Sequence, residues 1–281
     1  MPELPEVETI RLGLQNKIVG KKITDLEILS SKIFQGDKKE VIGSKVTGIR
    51  RRSKILIIDL DSNFSLVIHL KLTGQLVYQG KERATFGHPI PYAGTILPAK
   101  TTKLIFTFDD QSKLFFNDMR GFAYLKVIKT EEVENLKAIK EFGPEPFTSE
   151  FTLEKFKEIL EKRGKPIKLV LMDQTLIAGV GNIYASEALF LAKIDPRKKA
   201  NSLNSKEIEK LYKAVLEVLK MGLKYGGASD NTYVNVSGGQ GKMQEHFKVY
   251  GKAGKPCPCG GVIKRVSLGS RGTYFCPSCQ K

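Results

Sequence analysis

No stretch of this chain reaches the roughly eighteen consecutive apolar residues that a membrane-crossing helix needs. The most apolar run, Leu176 to Ala192, is broken by Gly179, Gly181, Asn182 and Glu187. The start does not read as a targeting signal, which requires a basic flank and an apolar stretch, because Met1-Pro2-Glu3-Leu4-Pro5-Glu6-Val7-Glu8-Thr9 is acidic. Cysteine is missing before Cys257, so the body of the chain has no disulfide framework and a reducing compartment fits. Acidic residues are in deficit, with 30 Asp and Glu against 46 Lys and Arg and a formal charge of +16. That balance favours a polyanionic partner such as nucleic acid over a membrane, although a generic basic or ribosomal protein shares it. No internal repeat is present, and the absences together describe a soluble, cytoplasmic protein.

What is present fills two domains more naturally than one, since 281 residues is long for a single core. After the first segment, whose Val7, Ile10, Leu14 and Ile18 have helical spacing, the chain from about Lys22 to Ile128 reads as short strands. Ile55 to Leu60, Ser65 to Leu70, Leu104 to Phe108 and Lys113 to Phe116 are separated by Gly, Asp and Asn, which predicts a two-layer β-sandwich. Phe86 to Ala99, with three prolines, reads as a long exposed loop. Residues 131–150, ending in Gly143-Pro144-Glu145-Pro146, read as a linker after an N-terminal domain of residues 1–130. Helical patterns occupy 151–245: Phe151 to Leu160, Ile167 to Met172, Ile183 to Leu191, and Ile208 to Leu219, the last opened by an Asn204/Glu207 capping box. Residues 246–281 form a basic tail. The fold class is therefore α+β.

Three stretches carry chemistry. Pro2, freed of Met1, is a secondary amine at a helix start, able to attack an electrophilic sugar carbon and pass through an iminium. The plainer reading is that Pro2 and Pro5 only start the helix while Glu3, Glu6 and Glu8 complement its dipole. The tail holds Cys257-Pro258-Cys259 and Cys276-Pro277-Ser278-Cys279, sixteen residues apart, with a turn at Gly260-Gly261. This predicts a four-thiolate zinc ribbon with one structural zinc, a redox pair being the alternative. Between them lies Met172-Asp173-Gln174-Thr175-Leu176-Ile177-Ala178-Gly179-Val180-Gly181-Asn182-Ile183-Tyr184-Ala185-Ser186-Glu187. It lacks the third small residue of a dinucleotide fingerprint at Tyr184. It reads instead as helix, double turn, helix, with amide N–H groups and Asn182 offered to a phosphate.

The strings MPELPEVET, Met172 to Glu187 and the cysteine tail together resemble the formamidopyrimidine-DNA glycosylase family of bacteria, across the whole chain. The resemblance implies an N-terminal β-sandwich flanked by helices, then a helix-two-turn-helix domain and a zinc β-ribbon. It further implies a bifunctional glycosylase and abasic-site lyase of base excision repair that acts as a monomer on damaged double-stranded DNA at the nucleoid. It assigns Pro2 as nucleophile, Glu3 as general acid, Lys54 as an active-site cation and Arg271 as the finger arginine. Asn182, Arg163 and Lys168 are implied phosphate contacts. His69-Leu70-Lys71-Leu72-Thr73-Gly74 and Asn117-Asp118-Met119-Arg120-Gly121-Phe122 match the loops that fill the gap left by an everted nucleotide, giving Leu72, Arg120 and Phe122.

Several positions depart from the family pattern. Leu72 stands in place of methionine, Met119 of proline, and Gly121 of a second arginine; Thr101 and Lys103 replace a DNA-contacting histidine pair. The first cysteine pair is one residue short, a departure expected to strain the metal site. The Gly-rich segment 228–241 matches a lesion-capping loop, expected to be mobile, with Tyr233 facing the base. Two other readings stay open on the sequence. An endonuclease VIII-like enzyme for oxidised pyrimidines is opposed by Leu4, and a non-catalytic damaged-DNA binder by intact Pro2, Glu3 and Lys54. A zinc-ribbon RNA-binding protein is disfavoured because the ribbon occupies only the tail.

Overall fold

The structure is a computed structural model and describes residues 1–87, 96–228 and 241–281. The chain divides into two units: Met1–Lys140 with Tyr225–Gln244, and Glu141–Lys224 with Glu245–Lys281. The first begins with helix α1, Leu4–Ile18, which has proline in its first turn and Glu3 at the N-cap. Ten strands come after it: β1 (Ile23–Ile28), β2 (Phe34–Gln35), β3 (Val46–Arg52), β4 (Ile55–Leu60), β5 (Phe64–His69), β6 (Gly74–Gln79), β7 (Arg83–Gly87), β8 (Thr102–Phe108), β9 (Lys113–Asp118) and β10 (Tyr124–Lys129). They form two five-stranded sheets, ordered β1-β8-β9-β6-β7 and β2-β10-β5-β4-β3, antiparallel except where β2 runs parallel to β10. The expected two-layer sandwich is present.

Side chains alternate between faces as the two-residue period of a strand requires. On β9, Leu114 and Phe116 enter the shared core with Leu56 and Ile58 of β4, while Phe115 joins Val77 and Ile105 in a separate cluster on the other face. Phe86, expected to begin an exposed loop, is instead a fully buried residue of β7 packed into the main core. The remainder of that expected loop, 88–95, lies outside the described residues. Residues 131–140, assigned to the linker from sequence, form a 3-10 turn and the short helix α2, Lys137–Lys140, and belong to the first unit.

The second unit holds α3 (Leu153–Glu161), α4 (Ile167–Met172), α5 (Asn182–Ala192) and α6 (Ser205–Lys224), then the hairpin β11 (Lys264–Leu268) and β12 (Arg271–Phe275). Thr152 caps α3 by accepting from Lys155 N. The Asn204/Glu207 box closes the start of α6 reciprocally, at 2.9 and 3.0 Å. The segment Tyr225–Gln244 groups with the first unit rather than with these helices. Its described ends give a reason: Ala228 N donates to Glu6 Oε1 at 2.7 Å, while Met243 N donates to Gly227 O at 3.2 Å and ties the two ends of the segment together.

Helix α1 fixes the start of the chain. Its Leu4, Val7, Ile10, Leu14 and Ile18 are all at most 2% exposed, an apolar face that contributes on the order of 10 kcal/mol gross. Gly13 lets the helix approach β7 closely, since a Cβ there would lie 2.3 Å from Phe86 Cε1. Gly13→Ala is therefore expected to destabilise the protein by about 1–2 kcal/mol, overpacking outweighing the roughly 1 kcal/mol gained in helix propensity. Urea unfolding of the two proteins measures it, and a more stable alanine variant would contradict this packing.

Candidate functional site

In the first unit, the candidate residues of the chain start and of the basic run lie where α1 starts and where the β3–β4 and β5–β6 turns end. Glu6 accepts from Glu3 N at 2.8 Å, so the helix start and the Gly227-Ala228 segment share one buried carboxylate. Glu3 itself is 3% exposed. Lys54 comes directly after Ser53, whose φ of 53° turns β3 into β4. Arg51 holds that turn by donating to Ser53 O at 2.8 Å and to Glu8 Oε2 at 3.0 Å. Lys54 is buried, not the solvated surface charge that its basic run would suggest from sequence.

His69 is the group that ties this region together. Its Nδ1 accepts from Lys71 N at 3.0 Å, which leaves Nε2 to carry the proton of the neutral ring. Burial, then the charges of Lys71, Lys54 and the chain's terminal amine, push its pKa down to about 3. Three cationic groups, Lys71, Lys54 and the Met1 amine, thus act on one half-buried, uncharged imidazole. In the sequence His69 stands out only as part of a loop string, and the signal that could have found it is its place between two basic elements.

The two loops implied to fill a vacated base pair are joined beneath by Asp118, which is fully buried. Its carboxylate accepts from Thr73 Oγ1, from Arg120 N at 3.3 Å and from Ala123 N at 2.9 Å. Above that clamp Phe122 is 55% exposed, with the Arg120 guanidinium 5.1 Å from its ring centroid. Phe122 is therefore not sandwich core, the reading its residue type would favour alone. Leu72 is half-buried. Gly121 adopts φ 68°, where a residue without Cβ is unstrained, which suits the loop to glycine in place of arginine. Nearby, Thr101 Oγ1 is buried without a hydrogen-bond partner among the described residues.

In the second unit the double turn between α4 and α5 is built around Gln174. Its amide donates to Met172 O and Val180 O, at 2.8 and 2.7 Å, and its oxygen accepts from Gly179 N. Asn182 is the first residue of α5 rather than its cap, which is Gly181. Asn182 Oδ1 is buried without a partner among the described residues, and Nδ2 lies 3.5 Å from Tyr250 Oη. No local sequence signal singles out Tyr250. Its backbone is set by Glu187, a carboxylate inside the apolar run of α5 that accepts from the N–H groups of Lys248, Val249 and Tyr250 at 2.8, 3.0 and 2.7 Å.

Arg271 begins β12, its side chain exposed, opposite Leu268 across the hairpin. Lys168, expected to face a phosphate, is instead fully buried on α4. Its ammonium donates to Gly272 O at 3.3 Å and Thr273 Oγ1 at 2.9 Å. The correction is physical: a buried cation needs protein acceptors, and Lys168 uses them to anchor the strand bearing Arg271. Arg163 is half-buried beyond the end of α3, donating to Lys162 O at 3.2 Å. Tyr233 lies outside the described residues.

The four cysteine sulfurs lie within 4.8 Å of one another. Cys257 and Cys279 are 3.9 Å apart and Cys259 and Cys276 3.5 Å, bracketing the edge of about 3.8 Å that a tetrahedron of 2.3 Å zinc–sulfur bonds requires. The shortened first pair closes the site after all. Burial raises the Cys276 thiol pKa, but the N–H groups of Cys279 and Ser278 overcome this and bring it down to about 6. The set fits one structural zinc, since four thiolates leave no open position.

Three family models match successive stretches of the chain, the second of them reaching into the Tyr225–Gln244 segment that groups with the first unit. The formamidopyrimidine-DNA glycosylase N-terminal domain matches residues 1–125, the H2TH domain of the same enzymes 142–234, and the zinc finger found in FPG and IleRS 254–281. A formamidopyrimidine-DNA glycosylase of Pelotomaculum thermopropionicum is 40% identical, covering 100% of this chain and 99% of its own. That of Listeria innocua is 38% identical over 100% of both. A crystal structure of a Lactococcus lactis FPG mutant with Fapy-dG containing DNA superimposes with TM-score 0.89 at 38% identity, covering 100% of both chains. The Lactococcus lactis Fpg with abasic-site DNA gives 0.89 at 37%, covering 99% of both.

His69 generates a pH prediction. Because its folded pKa lies below the ordinary 6.5, the unfolded chain binds the extra proton, and stability present above pH 6.5 is lost as pH falls toward 3. Carboxylates with lowered pKa contribute only below about 4.5, and the Cys276 thiol, brought down to about 6, contributes equally in both proteins, so the difference between wild type and a His69 variant from pH 6.5 to 5 isolates the imidazole. Wild type should lose about 2 kcal/mol across that interval, and His69→Gln distinctly less. Urea unfolding at the two pH values decides; equal losses would show that the imidazole is not the source.

Proposed function

We propose that this chain, which belongs to the formamidopyrimidine-DNA glycosylase family, excises oxidised purines such as 8-oxoguanine from duplex DNA and then cleaves the strand at the resulting abasic site. It acts as a monomer in the bacterial cytoplasm. Removal of Met1 bares the Pro2 secondary amine. That amine attacks C1′ of the damaged nucleotide and expels the base, while Glu3 supplies a proton to the sugar ring oxygen so that the ring opens. The product is an iminium between Pro2 and the sugar. Iminium formation acidifies the C2′ hydrogens, and loss of one expels the 3′ phosphate; a second elimination expels the 5′ phosphate.

The observation that carries this reading is that the start of the chain, whose Met1 amine lies one residue before Pro2, shares the surroundings of His69 with Lys54 and Lys71. A neutral amine is required for attack, and neighbouring cations disfavour its protonated form. Elsewhere the same reading uses donors: Arg271 with its exposed side chain, Arg163, and Asn182 beside the Tyr250 hydroxyl, as contacts to phosphates. Thr101, half-buried, is a further candidate for DNA contact by its position, although its hydroxyl is buried. Zinc serves as a folding element of the ribbon and takes no part in the bond changes.

Borohydride reduction during turnover on an 8-oxoguanine duplex is expected to yield a covalent adduct whose peptide mass maps to Pro2. Glu3→Gln should block base removal while sparing cleavage at a preformed abasic site. An adduct on Lys54, or full excision by the Glu3 variant, would refute the mechanism; no adduct at all would favour a non-catalytic binder.

The exposed Phe122 ring and Arg120 beside it fill the space of the everted nucleotide, with Leu72. Phe122→Ala should lower excision from intact duplex by about tenfold or more, an unstacking cost of a few kcal/mol no longer being offset. Binding to DNA that already contains an abasic site should change far less. Equal losses on both substrates would count against the wedge.

A further inference from the structure

We infer that Lys193 is an outer charge partner of the zinc tetrathiolate, a positioning residue whose ammonium stabilises Cys279 as a metal-bound thiolate and slows zinc release. Its backbone gives the first reason. Lys193 ends α5 in the left-handed region, at φ 61° and ψ 35°, where glycine is the favoured residue because it carries no Cβ penalty. A lysine kept in that conformation is explained by a use for its side chain.

Two backbone hydrogen bonds and two side-chain contacts fix Lys193. Lys193 N donates to Phe190 O at 3.1 Å, and its carbonyl accepts from Lys281 N at 3.1 Å, two residues beyond Cys279. The ammonium lies 4.4 Å from the Phe190 ring centroid. It also lies 3.6 Å from Cys279 Sγ, within hydrogen-bonding reach of a sulfur acceptor. Phe190 itself packs against Cys257 and Cys276. The cation, the ring and the thiolates are therefore one packed group.

The charge of the site supplies the need. Zinc with four thiolates carries a net charge of about −2, which backbone N–H groups commonly offset. Here Cys276 receives the amides of Cys279 and of the spacer residue Ser278, whereas Cys257 receives that of Cys259 and has no spacer amide beside it. The reason is in the sequence: Pro258 is the sole spacer of the first pair and has no N–H to give. A tetrathiolate short of one amide donor gains from a fixed ammonium, and Lys193 is placed to supply it.

The test uses the full-length protein and rests on the zinc assignment, so elemental analysis of wild type comes first; protein without zinc would overturn that assignment and this inference with it. Zinc transfer to 4-(2-pyridylazo)resorcinol is then timed for wild type, Lys193→Met, Lys193→Gly and Lys193→Arg. Methionine and glycine should release zinc about tenfold faster, the scale on which outer partners act, and arginine at close to the wild-type rate. The glycine variant separates charge from backbone: it relieves the left-handed strain, so its Tm in excess zinc should equal or exceed that of wild type while its zinc leaves faster. Wild-type release rates in both the methionine and glycine variants, or an arginine variant as fast as methionine, would overturn the inference.

Discussion

Burial of one face of α1 is the constraint on which the chemistry of the first unit depends. With Leu4, Val7, Ile10, Leu14 and Ile18 sealed into the core, the residues just before the helix have little freedom, and a terminal amine can be held instead of fraying as chain ends generally do. Glu6 extends the hold, accepting from Glu3 N on one side and Ala228 N on the other. Pre-organisation of this kind is what the proposed nucleophile needs, because the cost of fixing it would be met in folding and not at each turnover.

The second unit works by a different device: buried charges satisfied by backbone groups. Glu187 collects three N–H groups and so sets the loop that carries Tyr250. Lys168 does the converse with the Gly272 carbonyl and the Thr273 hydroxyl. Gln280 accepts from Cys276 N and donates to Ile194 O, fastening the ribbon to the end of α5. The ribbon's own apolar cluster, with Phe190, Val249, Ile263 and two cysteines, is small for a folding unit. Zinc and these ties substitute for a larger core.

Regular patterning made much of the architecture legible beforehand. The strands β4 and β9 and the helices α4 and α6 were visible because alternation, helical spacing and the Asn204/Glu207 box are local signals. Phe86 was misplaced because the prolines after it drew the whole stretch into a loop, whereas its burial is decided by α1 and the opposite sheet. The grouping of Tyr225–Gln244 with the first unit was equally hidden, since it rests on a contact between residues 222 positions apart.

By itself the sequence determined the chemical inventory: an amine-bearing start, four thiolates in two closely spaced pairs, a double turn rich in glycine, and an excess of cations for a polyanion. Tertiary structure alone decided which of those cations are occupied and which are offered. Lys168 is turned inward, Lys54 is buried beside a neutral His69, Lys193 is laid against Cys279, and Arg271 is left outside. The reason is that charge is a property of the residue, whereas desolvation and the partners that answer it belong to the surroundings, which neighbours distant in sequence assemble.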